Sequence, residues 1–305
     1  MGIDLAVEIG NLKLKTPVLV ASGTFGYEDD YVELIKENRL GALVTKTITL
    51  KPCQGNSPPR VIETPSGMLN SIGLQNEGVE IFLEKKLPLL SQLQIPIIVS
   101  IAGERIEDYG LLAKRLDKVK EISALEINIS CPNIESEAEC LFAQDFYLTY
   151  GVVKAVREST DKTIIAKLSP NVTDIVSIAQ AAFDAGAEAL SLVNTFFGMA
   201  IDIEKRKSKL GSIYGGLSGP AIKPIALYMV YKVAQAVKLP LIGMGGVVSS
   251  QDALEFFMAG ATCVAIGTGN FINPRIAREV VKGIEEYLKK NKLTSIKELI
   301  GRLGN

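Results

Sequence analysis

The segment Asn128-Ile129-Ser130-Cys131-Pro132-Asn133 gathers a thiol, a hydroxyl and two carboxamides in one short stretch. Proline and asparagine after the cysteine mark a turn, where a side chain is less completely buried than inside a strand. A thiol in such a loop gains thiolate character when lysines stand nearby. The chain contains no histidine. That removes Ser-His-Asp and Cys-His nucleophile pairs and most catalytic zinc sites. A general base must then be Asp, Glu, Lys, Tyr or Cys, and Cys131 is the best candidate. Cys263 sits inside an apolar run and reads as core, while Cys53 and Cys140 lie in loop-like or helix-start contexts. No two cysteines have C-x-x-C spacing, so the local signatures of a zinc ribbon, a redox dithiol or an iron–sulfur cluster are missing. Such cysteine usage predicts a reduced, cytoplasmic protein.

Other polar groups follow apolar runs in the same way. They include Ala21-Ser22-Gly23-Thr24, Thr45-Lys46-Thr47, Lys167 and Asn194-Thr195. Two glycine clusters, Gly245-Gly246 and Gly267-Thr268-Gly269, lack side chains that would keep an anion from the backbone. Neither is a dinucleotide fingerprint, because the third glycine position holds Val248 in one and Ile272 in the other. They suit a mononucleotide or another phosphate ester.

The elements that position these groups can be read from hydrophobic patterning. Eight strand-like runs are expected: Val18–Ala21, Ala42–Lys46, Ile97–Ile101, Ala124–Ile129, Thr163–Leu168, Ala189–Val193, Leu241–Met244 and Cys263–Ile266. Several are apolar nearly throughout, as strands covered on both faces are. Helical patterns alternate with them at Asp30–Asn38, Gly78–Gln92, Ile106–Lys120, Phe142–Ser159, Asp174–Ala185, Ala221–Val237, Ser250–Met258 and Pro274–Asn291. Eight βα units predict an α/β fold, a (β/α)8 TIM barrel, with a doubly wound open sheet as its rival. Residues 4–15 predict an N-terminal β-hairpin around Gly10-Asn11, covering one end of the barrel. Residues 194–220 form a long insertion after the sixth strand; its EKRKSK run reads as solvated surface. With no linker or low-complexity tract, residues 1–305 are expected to form a single domain. In a barrel, chemistry gathers at the C-terminal ends of the strands, where all the polar groups above fall. The loops after the seventh and eighth strands commonly bind phosphate there.

Composition narrows the function classes further. Lys plus Arg number 33 against 34 Asp plus Glu, a net charge of −1, which argues against nucleic-acid binding by bulk charge. The first residues show no signal-peptide pattern, and no run of about 18 apolar residues predicts a membrane span.

With its N-I-S-C-P-N segment, the sequence resembles the class 1 dihydroorotate dehydrogenases. Ala21-Ser22-Gly23-Thr24-Phe25-Gly26, Thr45-Lys46-Thr47, both glycine-containing strand ends and especially Gly67-Met68-Leu69-Asn70-Ser71-Ile72-Gly73-Leu74-Gln75-Asn76 resemble the NAD-linked subclass, class 1B. The likeness runs across the chain, and the longest motif is the most specific. It implies a flavoprotein with one noncovalent FMN that oxidises dihydroorotate to orotate in pyrimidine (UMP) biosynthesis. Carried over, Ser22, Lys46, Thr47, Asn128, Lys167, Val193, Gly219, Gly245, Gly246, Gly267 and Thr268 are implied FMN contacts. Lys46, Asn70, Ser71, Ile72, Gly73, Leu74, Asn128, Asn194 and Thr195 are implied substrate contacts, and Cys131 the base. Ser100 departs from the family pattern, which generally has Asn there, and is carried as a flavin contact that has lost an amide.

The chemistry is consistent with that assignment. Dihydroorotate must lose a proton from C5, here to a thiolate, and a hydride from C6, here to the flavin N5. Lysine offers charge to the substrate carboxylate, and asparagines can both donate to and accept from its ring amides. A positive Lys167 beside the pyrimidine end of the flavin would stabilise negative charge on the reduced ring. The subclass further implies a partner subunit carrying FAD and a [2Fe–2S] cluster, with a homodimer inside a heterotetramer. The loop Cys131–Asp145 and the insertion 196–218 are expected to be mobile parts of the site. The alternatives are a fumarate-using dihydroorotate dehydrogenase, a dihydropyrimidine dehydrogenase-like flavoenzyme, and a non-redox phosphate-binding barrel such as an aldolase-type lyase with Lys46 or Lys167 as Schiff base.

Overall fold

The structure, a computed structural model, describes residues 2–26, 29–129 and 142–304. Among them, short parallel strands close into a barrel in sequence order. They are β1 (Val18–Val20), β2 (Ala42–Val44), β3 (Ile97–Ile101), β4 (Ala124–Asn128), β5 (Thr163–Lys167), β6 (Ala189–Leu192), β7 (Leu241–Met244) and β8 (Cys263–Ile266). Ile266 of β8 stands opposite Val20 of β1, which leaves no sheet edge. Every residue of these strands is buried, which explains their near-continuous apolar character. This is the expected (β/α)8 barrel, and the open sheet is set aside.

The outer helices are α1 (Asp29–Glu37), α2 (residues 78–91, with a π-helical turn at Phe82–Lys86), α3 (Ile106–Asp117), α4 (Phe146–Arg157), α5 (Ile175–Asp184), α6 (Lys223–Ala236), α7 (Ser250–Met258) and α8 (Ile276–Lys290). Side chains of Asp145, Asp174 and Ser249 cap α4, α5 and α7 by accepting from backbone N–H groups. The cap at Asp145 explains why the pattern Phe142–Ser159 divides into a 3-10 turn, Phe142–Gln144, and α4. In α8 the buried residues Ile276, Val280, Ile284 and Leu288 recur at a four-residue spacing and form the inward stripe. None of the described helices is long and apolar enough to cross a membrane.

Two accessory sheets close the ends. The hairpin of Val7–Ile9 and Leu12–Leu14 turns its valine, isoleucine and leucines inward and exposes Glu8 and Lys13. Its Asn11 N–H donates to Thr163 Oγ1 at 3.0 Å, at the start of β5, so it covers the N-terminal end of the barrel. At the opposite end lies a four-stranded antiparallel sheet in the order Phe196–Gly198, Gly215–Ser218, Gly67–Asn70, Val61–Thr64. The insertion therefore contributes two strands to a wall over the barrel mouth, and its charged run 204–207 is exposed as expected.

Candidate active site

The strand ends beneath that wall enclose a cavity of about 440 Å³. Residues following β1, β2, β6, β7 and β8 line it, together with Asn128 of β4, Lys167 of β5 and the loop 70–74. Lys46 lies just past the regular end of β2, where Thr45 N–H still donates to Ile98 O at 2.9 Å and holds the chain extended. Its ammonium is half-buried; desolvation pulls its pKa below the ordinary lysine value, Arg60 adds to this and Glu77 opposes it.

A network of short polar side chains joins the strand ends. Asn128 Nδ2 donates to Thr47 Oγ1 at 3.2 Å, and Ser22 Oγ lies 3.2 Å from the same hydroxyl. Tyr109 OH donates to Asn128 O at 3.1 Å and fixes the end of β4 from behind. Asn194 Nδ2 approaches Asn128 Oδ1 at 3.5 Å, while Asn194 Oδ1 accepts from Thr195 N–H at 2.8 Å. Asn70 sits mid-sheet, its Nδ2 donating to Gly216 O at 3.3 Å. Ser71 Oγ accepts from Asn56 Nδ2 and Ser212 Oγ, both at 2.6 Å, so the insertion is tied to the 70–74 loop.

The far side of the cavity is nearly bare backbone. Gly245 and Gly246 have φ of +124° and +80°, a region that side chains rarely enter. A Cβ on Gly246 would stand 2.8 Å from Lys223 Cβ and 2.9 Å from Gly219 O. Behind this turn Lys223 Nζ pairs with Asp252 Oδ1 at 2.6 Å and Glu255 Oε2 at 2.9 Å, and Asp252 Oδ2 accepts from Val248 N–H at 3.0 Å. The turn is thus held from outside while its inner face stays open to a ligand.

At the cavity floor Lys167 Nζ lies 3.6 Å from Glu126 Oε1, with side chains 6% and 1% exposed. Ser191 Oγ donates to Glu126 Oε2 at 3.0 Å.

A family model described as dihydroorotate dehydrogenase matches residues 4–288. The chain belongs to the dihydroorotate dehydrogenase family. It is 52% identical over 300 residues to a protein of Geotalea uraniireducens named dihydroorotate dehydrogenase B (NAD(+)), catalytic subunit, with 98% of each chain covered. Proteins of the same name from Geobacter sulfurreducens and a Thermoanaerobacter species are each 52% identical, with 98% and 99% of both chains covered. As a member of the dihydroorotate dehydrogenase family the chain is an oxidoreductase, and the lyase reading falls.

Of the residues that the resemblance to dihydroorotate dehydrogenases singles out, the structure brings Ser22, Lys46, Thr47, Asn128, Lys167, Val193, Gly219, Gly245, Gly246, Gly267 and Thr268 to this one cavity. Asn70, Ser71, Ile72, Gly73, Leu74, Asn194 and Thr195 line it too. Ser100 is not among its lining residues: it is fully buried, with Oγ 2.9 Å from Thr47 Oγ1, so it backs a lining residue. Cys131 and Cys140 lie outside the described residues. Cys263 is core, and burial pushes its thiol far up; Cys53 Sγ donates to Gly73 O at 3.3 Å.

Sequence reasoning missed Asn56, Met68, Ser212 and Tyr214 in the cavity wall. The run Val61-Ile62-Glu63-Thr64, a Pro-Ser turn and Gly67-Met68-Leu69-Asn70 carried a hairpin signal that could have placed Met68. Ser212 had none, because its position depends on the insertion folding back onto that hairpin.

Proposed function

We propose that this chain is the catalytic subunit of an NAD-linked dihydroorotate dehydrogenase, binding one FMN noncovalently and oxidising (S)-dihydroorotate to orotate on the route to UMP. The observation that carries the proposal is the convergence of Lys46, Asn70, Asn128 and Asn194 on a cavity whose opposite side is side-chain-free backbone at Gly245, Gly246 and Gly267. A site of this volume suits a small ligand or cofactor, for which about 300–1,000 Å³ is usual.

The residues present fit FMN. The bare turn at Gly245-Gly246 admits a phosphate against the backbone, and the Thr268 hydroxyl, donating to Ser218 Oγ at 2.8 Å, borders the same space. Ser22, Thr47, Asn128 and Lys167 would hold the rest through hydroxyl, amide and ammonium groups. When bound, FMN supplies the acceptor for the hydride that leaves C6 of the substrate.

The chain's own groups do the remainder. Cys131 takes the C5 proton. Lys46 meets the substrate carboxylate, and that negative charge favours the ammonium form which half-burial disfavours. Asn70, Asn128 and Asn194 are held by neighbouring elements before substrate arrives, so little side-chain entropy is lost on binding. The four-stranded sheet and the Asn56–Ser71–Ser212 tie restrict water at the mouth.

Electrons pass to NAD through a cytoplasmic partner subunit bearing FAD and [2Fe–2S], in a heterotetramer built on a homodimer. Support comes from the relatives' names, which specify NAD(+) and a catalytic subunit, and from glycine clusters that do not fit a dinucleotide fingerprint. The test is dihydroorotate oxidation with NAD, fumarate or quinone, by the chain alone and with the partner. NAD turnover only in the mixture is expected; equal NAD turnover by the lone chain would overturn the partner, and fumarate turnover the NAD linkage.

A further inference from the structure

We propose that Glu126 is a positioning residue for the reaction: its carboxylate, fixed by Ser191, is the buried counter-charge that keeps the Lys167 ammonium protonated at the cavity floor. The consequence for a cofactor rests on the FMN reading above; the effect on Lys167 does not.

Strand alternation places Glu126 on the same interior face of β4 as the cavity-lining Asn128, one layer deeper. That depth is normally filled by branched apolar side chains. A carboxylate that is 1% exposed there has lost its hydration and needs compensation. Oε2 receives it from Ser191 Oγ at 3.0 Å. Oε1 accepts no hydrogen bond among the described residues, and Lys167 Nζ stands 3.6 Å from it. This is an ion pair whose separation is too long for a hydrogen bond, so the carboxylate balances the ammonium's charge without occupying its donors. The donors remain available to whatever fills the cavity.

The other groups around Lys167 do not provide this balance. In the described barrel, β6 brings Ser191 and the residue just past its end, Val193, β4 brings Asn128, and the further charge lining the cavity is Lys46, of the same sign. Lys46 repels the Lys167 ammonium and burial strips its hydration; the Glu126 carboxylate at 3.6 Å offsets both. A purely stabilising role is a poor explanation, because buried ion pairs are commonly no more stabilising than apolar residues of similar volume.

The test compares wild type with Glu126→Gln, which keeps a partner for Ser191 and removes the charge, and with Glu126→Asp. Full-length protein, with and without FMN, is acetylated at a series of pH values, and labelling at Lys167 and Lys46 is read by peptide mass spectrometry. Only the neutral amine reacts. Glu126→Gln should raise Lys167 labelling at least tenfold at a given pH with Lys46 labelling within twofold, and Glu126→Asp should restore part of the difference. Unchanged Lys167 labelling, or an equal rise at both lysines, would overturn the proposal. A second readout is the midpoint potential of bound FMN, measured against pH. Where Glu126→Gln leaves Lys167 neutral, the reduced flavin loses its counter-charge, so the potential should shift negative by about 30 mV, tenfold in a two-electron equilibrium. That shift should vanish in a Lys167→Met background; a shift that persists there would count against the coupling. Failure of wild type to bind FMN would refute the cofactor reading while leaving the labelling comparison to decide the role of Glu126.

Discussion

Adding one methyl group to the bare turn, Gly246→Ala, should weaken FMN binding and stability together by a predictable amount. The backbone at Gly246 has φ +80°, which costs an L-residue about 1–2 kcal/mol. The new Cβ would meet Lys223 Cβ at 2.8 Å, Gly219 O at 2.9 Å and Lys223 N at 3.2 Å. Two of those neighbours are backbone atoms, so relief requires the turn or the start of α6 to move; overpacking of this kind costs about 1–3 kcal/mol. The sum, about 2–5 kcal/mol, divides between unfolding and cofactor release. Expressed wholly in binding it is roughly a 30-fold to several-thousand-fold rise in Kd. The assay pairs a urea melt of FMN-free protein with an FMN fluorescence titration, and the two losses together should reach that range. A variant as stable as wild type that binds FMN within threefold would refute the steric reasoning and the placement of the phosphate.

Cys131→Ala should still bind FMN and orotate but reduce flavin with dihydroorotate about 10²–10⁴-fold more slowly, the usual contribution of a positioned base; Cys131→Ser should fall between, and near-normal reduction in the alanine variant would assign the proton to another group. Orotate affinity should decline as pH rises through the Lys46 pKa, beginning below the ordinary 10.5 because desolvation, then Arg60, favour the neutral amine; an affinity constant to pH 10.5 would exclude Lys46 as the carboxylate partner. Asp252→Asn should lose about 1–3 kcal/mol in urea melts at pH 7, the cost of breaking a buried charged hydrogen-bond network. Burial pushes the Asp252 carboxyl up, but hydrogen bonds from Lys223, Ser249 and Val248 hold it below its ordinary 3.8. Its contribution is therefore fully present above that value and fades as pH falls through the lower folded one, so the gap between variant and wild type should close in acid.

Local pattern exposed the barrel because its strands are short, apolar and covered on both faces, and three of its helices begin at Asp or Ser caps. It also exposed residues such as Lys46 and Asn194, since polar groups immediately after apolar runs fall at one mouth of this fold. The wall was less legible. Gly67–Asn70 reads as a motif, but its pairing with Gly215–Ser218 joins segments far apart in sequence, and nothing local fixes that register. Ser100 shows the same limit: alternation gives its inward face, whereas its distance from the cavity depends on Thr47 standing in front of it. Glu126 was within reach of alternation from Asn128, but its role depends on Lys167 and Ser191, which neighbouring strands supply.

Oxidation of dihydroorotate on FMN bound in this cavity can be observed in a single turnover. Anaerobic mixing of the purified chain with one equivalent of (S)-dihydroorotate, followed by flavin absorbance and product analysis, tests it most directly. The oxidised flavin band should bleach and one orotate should appear per FMN, without any partner protein. A flavin band that persists, or bleaching without orotate, would contradict the proposed function.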